Sequence, residues 1–222
     1  METATTKTEL ISFNGWTLRI RQAVVEQPKV LLMIHGITGD ENSMWVFGRK
    51  FSKSYLIISP RALHPAEKEG YSWRDVNKYP LQEDLPSVEM LLDSAQALIN
   101  LVDEYCASLK IEAPQFDIIG FSQGAAMVSV LSLVYPERIR KLAVLAGFVP
   151  IGMDDYIAKK PLAGKYALVA HGTKDETVKI ERAHEAVQVL ERAGAHVKFV
   201  QDDVGHKLGV QGMNALEEFL AD

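Results

Sequence analysis

The chain has 222 residues, 47% of them apolar, enough to bury one sizeable core without metals or disulfides. Its net charge of −5, spread over interspersed acidic and basic side chains, offers no basic stripe to neutralise a phosphate backbone, so nucleic acid is not an expected partner. A single cysteine, Cys106, excludes an intramolecular disulfide and fits a reducing compartment. Residues 1–9 are polar, without a signal-peptide core, and the apolar runs are strand-sized, so a cytoplasmic protein without stable membrane insertion is expected.

Residues 8–13 and 16–22 alternate apolar and polar side chains around Asn14-Gly15, a dipeptide that tolerates the positive φ angles of a tight turn; this predicts an opening β-hairpin. The texture then changes. Residues 30–34 (VLLMI), 55–59 (YLIIS), 116–119 (FDII), 142–146 (LAVLA) and 166–170 (YALVA) are short apolar runs without alternation, as expected of strands covered on both faces. Helical spacing occupies 88–109, 124–135, 177–193 and 210–220, with Pro136 and Gly194 as stop signals and a last strand over 196–201. Helix after strand, repeated, predicts right-handed crossovers, a mainly parallel sheet with helices on both faces, and one α/β domain over residues 1–222. Residues 61–86 form a long excursion of weak periodicity, either functional or a solvated connection. Cys106 shares a helix face with Val102, Tyr105 and Leu109, which predicts a packed, inert thiol.

The chemistry centres on Gly120-Phe121-Ser122-Gln123-Gly124, which directly follows one predicted strand and directly precedes an apolar helix. A G-x-S-x-G sequence in that context builds a nucleophile elbow, whose flanking glycines let strand and helix approach and whose helix N-terminus favours developing negative charge. The bland alternative is a tight turn in which Ser122 caps the helix. A serine hydroxyl needs a base, and the base needs a carboxylate to fix its tautomer. Of six histidines, His206 follows the last predicted strand and lies at the carboxyl edge of the sheet, where ligands bind in open α/β folds. His35 and His171 end strands and read as structural; His64, His184 and His196 read as loop, helix-face and strand-face residues. For the acid, Asp175 follows the strand YALVA after Gly172-Thr173-Lys174, with helix capping as its alternative role, while Asp202 and Asp203 compete through closeness to His206. An oxyanion hole would use the amides of Gln123 and Ile37, the latter within His35-Gly36-Ile37-Thr38-Gly39-Asp40. Met44, Trp45, Tyr71, Trp73 and Val178 are the expected pocket residues, suited to an apolar acyl or aryl group.

Together, His35-Gly36 after a strand, the Ser122 elbow, His171-Gly172-Thr173-Lys174-Asp175 and Gly205-His206 resemble the phospholipase/carboxylesterase family of small α/β-hydrolases, over nearly the whole chain in order and spacing. The resemblance implies an α/β-hydrolase fold, a Ser122, Asp175 and His206 triad, oxyanion amides at Ile37 and Gln123, and cleavage of small-molecule carboxylic esters, thioesters or lysophospholipids. No cofactor or metal is implied, and homodimers occur in the family. This chain departs from the family's usual pattern at Ile37-Thr38-Gly39 and at Lys207, neither of which removes a catalytic group. A ligand-binding or acyl-transfer protein on the same fold is the competing reading, and a dienelactone-hydrolase-like enzyme would expect cysteine at position 122.

Overall fold

The computed structural model describes residues 7–49, 51–79 and 85–221. Among these residues, ten strands and six α-helices follow in chain order: β1 (Thr8–Phe13), β2 (Trp16–Arg21), β3 (Lys29–Ile34), α1 (Trp45–Gly48), β4 (Tyr55–Pro60), β5 (His64–Pro65), β6 (Tyr71–Ser72), α2 (Leu92–Ser108), β7 (Phe116–Phe121), α3 (Gln123–Val134), β8 (Ile139–Leu145), α4 (Asp154–Ile157), β9 (Tyr166–Gly172), α5 (Ile180–Arg192), β10 (His196–Asp202) and α6 (Val210–Ala221). Eight strands form one sheet in the order β1-β2-β4-β3-β7-β8-β9-β10, antiparallel at β1-β2 and β2-β4 and parallel elsewhere. The expected mainly parallel sheet with an N-terminal hairpin is therefore what forms. Asn14 (φ 44°) and Gly15 (φ 84°) both take the positive φ that a two-residue turn requires, and Phe13 faces Trp16 across it.

Strand side chains alternate between faces, and each face of this sheet has its own core, so the central strands must be apolar on successive residues through their middles. Along β3, Val30, Leu32 and Ile34 enter one core while Leu31 and Met33 enter the other. The first core is roofed by α2, α3 and α5 and the second by α1 and α6, which puts helices on both faces as expected. Every α3 residue from Gln123 to Leu133 is buried, which accounts for its lack of a polar side. Cys106 lies buried on α2, and burial pushes its thiol up to about 11, consistent with an inert packed side chain.

Residues 61–79 of the excursion are more ordered than their composition suggests. β5 and β6 pair into a short hairpin, and Tyr71 exchanges backbone hydrogen bonds with the 36–39 loop: Thr38 N–H to Tyr71 O and Tyr71 N–H to Gly39 O, both 3.0 Å. No helix among the described residues is long and apolar enough to cross a membrane.

Candidate active site

Ser122 sits between β7 and α3 with φ 54° and ψ −117°, a conformation that a non-glycine residue adopts only under constraint. The constraint is visible on both sides. A Cβ on Gly120 would lie 2.1 Å from Gly124 O, and one on Gly124 would lie 2.0 Å from Ile34 O, so strand, helix and the neighbouring β3 can meet only if both positions lack side chains. The Ser122 N–H is held by Leu145 O at 3.0 Å, fixing the turn to the end of β8.

The loop after β3 presses against this turn: a Cβ on Gly36 would stand 3.2 Å from Ser122 Cβ. Among the described residues, neither the Ile37 nor the Gln123 amide enters a backbone hydrogen bond, leaving both free to donate to a third party. Gln123 also has a role that motif reasoning did not reveal. Its side-chain carbonyl accepts the Trp73 N–H at 3.0 Å and its amide donates to Ser72 Oγ at 3.1 Å, tying the excursion to the elbow.

At the other end of the cleft, His206 Nδ1 lies 2.7 Å from Asp175 Oδ2. The carboxylate is wholly buried, and its second oxygen accepts the Thr177 and Val178 N–H groups at 2.9 Å each. Asp175 thus orders its own turn while engaging the imidazole; the N-terminal cap position of α5 belongs to Lys179. The two loops are laced together by Thr173 N–H to Asp202 O and Lys174 N–H to Val204 O, the ring of Phe121 packs on the His206 ring at 4.9 Å, and Ser122 and His206 line the same cleft. With Nδ1 donating to the carboxylate, Nε2 is left as the basic atom.

The competing acids are accounted for. Asp202 accepts Gln211 N–H at 3.1 Å and Gly212 N–H at 2.8 Å and so caps α6, while Asp203 pairs with Lys174 at 2.8 Å on the surface. His35 accepts the Ala62 N–H on Nε2 and donates from Nδ1 to Gly36 O, a structural role. His171 is buried beneath the site; its Nε2 donates to Val178 O at 2.7 Å and lies 3.3 Å from Asp175 Oδ2. Burial lowers the pKa of both histidines, keeping them neutral. His184 contacts Gln201 and Phe199, and His196 packs on Tyr166.

The cleft has a volume of about 800 Å³ and an apolar lining that includes Ile37, Met44, Val46, Phe47, Phe121, Leu208 and Met213, with Lys207 at its rim. Of the expected pocket residues, only Met44 lines it. Trp73 is fully buried in the first core, drawn there by its indole N–H bond to His35 O at 2.8 Å. The Tyr71 ring lies under Arg61, whose guanidinium also bonds its hydroxyl. Val178 is buried and spends its backbone on Asp175 and His171. Trp45 donates to Glu41 O and faces a different pocket on the far side of α1.

A strained serine on a strand-to-helix turn, at the carboxyl edge of a mainly parallel eight-stranded sheet, defines an α/β-hydrolase. Within that class the chain belongs to the phospholipase/carboxylesterase family, whose model matches residues 17–222. A probable carboxylesterase SOBER1-like protein of Arabidopsis thaliana is 29% identical over 157 residues, covering 67% of this chain and 58% of that protein. The match to a probable carboxylesterase of Oryza sativa covers 57% of that protein, so the chain spans less than two thirds of these relatives. Acyl-protein thioesterase 1 of Debaryomyces hansenii is 26% identical over 221 residues, covering 91% of this chain and 92% of its own. Among solved structures, the Bacillus cereus carboxylesterase superposes with a TM-score of 0.80 at 22% identity, covering 94% of each chain. The Mesorhizobium loti carboxylesterase gives 0.78 at 22% identity, covering 96% and 98%; at such identities the likeness speaks to fold.

Proposed function

We propose that this protein is a serine esterase that cleaves carboxylic esters with an apolar acyl group through an acyl-enzyme intermediate. The observation that carries the reading is the buried Asp175 carboxylate engaging Nδ1 of His206 in the cleft that also holds the strained Ser122. In the proposed cycle His206 Nε2 takes the Ser122 proton as Oγ attacks the carbonyl carbon. The Ile37 and Gln123 amides stabilise the oxyanion, and His206 then protonates the leaving alkoxide or thiolate. Water, deprotonated by the same nitrogen, releases the carboxylic acid and restores Ser122. The apolar lining supports a medium-length acyl chain rather than a charged one.

The test is hydrolysis of a p-nitrophenyl ester series by wild type and Ser122→Ala, with a fluorophosphonate label located by mass spectrometry. Turnover should vanish in the variant while circular dichroism stays unchanged, and the label should sit on Ser122. Near-normal hydrolysis by Ser122→Ala would sink the assignment. A parallel acyl-thioester series reads the leaving-group preference, and product analysis separates hydrolysis from acyl transfer.

A further inference from the structure

On the far side of α1 from the catalytic cleft lies a second pocket of about 470 Å³, lined by Thr8, Arg19, Arg21, Asn42, Trp45, Gly48, Arg49 and Lys53. Its origin is legible in β2. Leu18 and Ile20 point into the first core, so Arg19 and Arg21 point to the opposite face, two residues apart on one strand. Arg49 arrives from the end of α1 and Lys53 from the segment before β4. Four cationic side chains thus converge on one recess in a chain of net charge −5, and no carboxylate of a described residue lines it.

Arg21 is the anomaly. It is only 4% exposed, its terminal nitrogens donate to the Gly48 and Ser52 carbonyls at 3.2 and 2.5 Å, and its Nε has no partner. No carboxylate among the described residues pairs with it, so a buried positive charge is met by neutral oxygens alone, and burial lowers its pKa. Arg19 is likewise engaged by neutral groups, forking onto Asn42 Oδ1 at 2.9 and 2.6 Å. The two acids that precede Asn42 bond its side-chain amide rather than the arginines, with Glu41 also gripping Arg61 and Asp40 also bonding Ser43. A recess that gathers guanidinium groups, with no carboxylate among its described lining residues, is complementary to an oxyanion bearing more than one charge.

We propose that this pocket binds the phosphate group of a small soluble ligand, with Arg19, Arg21 and Arg49 as the anion-holding side chains and the Trp45 indole as the wall against which the ligand's uncharged part packs. Phosphate fits better than a single carboxylate because it presents several strong acceptor oxygens and more than one charge to donors arriving from different directions. The recession of Arg21 selects a small ligand over a flat surface. The site is separate from the ester-cleaving cleft, although Met44, Val46 and Phe47 of the same short stretch line that cleft.

The experiment titrates the full chain with inorganic pyrophosphate, read by calorimetry and by tryptophan fluorescence, with citrate in parallel. One saturable site is expected, weakened about tenfold or more by Arg19→Gln and by Arg49→Gln, the scale of losing a charged hydrogen bond. Melting curves verify that both variants fold. Trp45→Phe should keep the heat of binding and lose the optical change. Absence of saturation, wild-type affinity retained in either arginine variant, or a fluorescence change that survives in Trp45→Phe would overturn the site. Tighter binding of citrate than of pyrophosphate would overturn its assignment to phosphate.

Discussion

Six histidines share one chain, yet their neighbours make them chemically unlike. His206 has a carboxylate on one nitrogen and the cleft beside the other, whereas His35 and His171 are buried and bonded mainly to backbone. Both buried rings have their pKa lowered from 6.5, chiefly by desolvation. The unfolded chain therefore binds protons in a range where the folded one does not, so stability rises with pH through that range. The contribution is complete above 6.5 and is lost as pH falls from there through each folded-state pKa, with a limiting slope of about 1.4 kcal/mol per pH unit for each histidine. Thermal melts on either side of pH 6.5 should show the midpoint falling on the acid side, and His35→Gln/His171→Gln should flatten that dependence. An unchanged slope in the double variant would mean that other groups govern acid sensitivity.

The elements that build the sheet were readable because their rule is local: a strand with a core on each face must be apolar on successive residues through its middle, and 30–34, 55–58, 118–119, 142–145 and 167–170 obey it. The residues proposed as the triad were readable for a related reason, since each sits next to an element end with its own turn chemistry. The pocket walls were not. Trp45 and Val46 are adjacent on α1, but a helix turns each in its own direction, and which one meets the cleft depends on how four residues lean against β3 and the elbow. Trp73 carried an aromatic signal common to pockets and cores, and only the long-range bond to His35 O decides between them. Val46 offers the cleanest probe of the wall because it lines the cleft and is 61% exposed. Val46→Trp should reduce kcat/KM for long-chain esters severalfold while sparing acetate, with stability changed by no more than about 0.5 kcal/mol. An unaltered chain-length profile would move the acyl chain to another part of the cleft.

Across the whole molecule the two edges of the sheet divide the work. At the amino edge, Tyr55 and Arg140 converge on buried Asp117, and Tyr55 and Lys141 also bond the Leu220 and Phe219 carbonyls, tying down the far end of α6. At the carboxyl edge stands the proposed chemistry, drawn from strands of unequal security. Ser122 follows β7, which has a strand on each side, whereas His206 follows β10, the outermost strand, whose residues are half exposed or fully so. Since α6 is held at its far end, local opening would be confined to β10 and the loop beyond it, and would carry the base away while the elbow stayed whole. In a urea series, ester hydrolysis should therefore fade before the circular dichroism signal moves; coincident transitions would mean that this edge is as firm as the centre. The enzyme would then have a fuse at its rim, failing by losing its proton carrier long before it loses its shape.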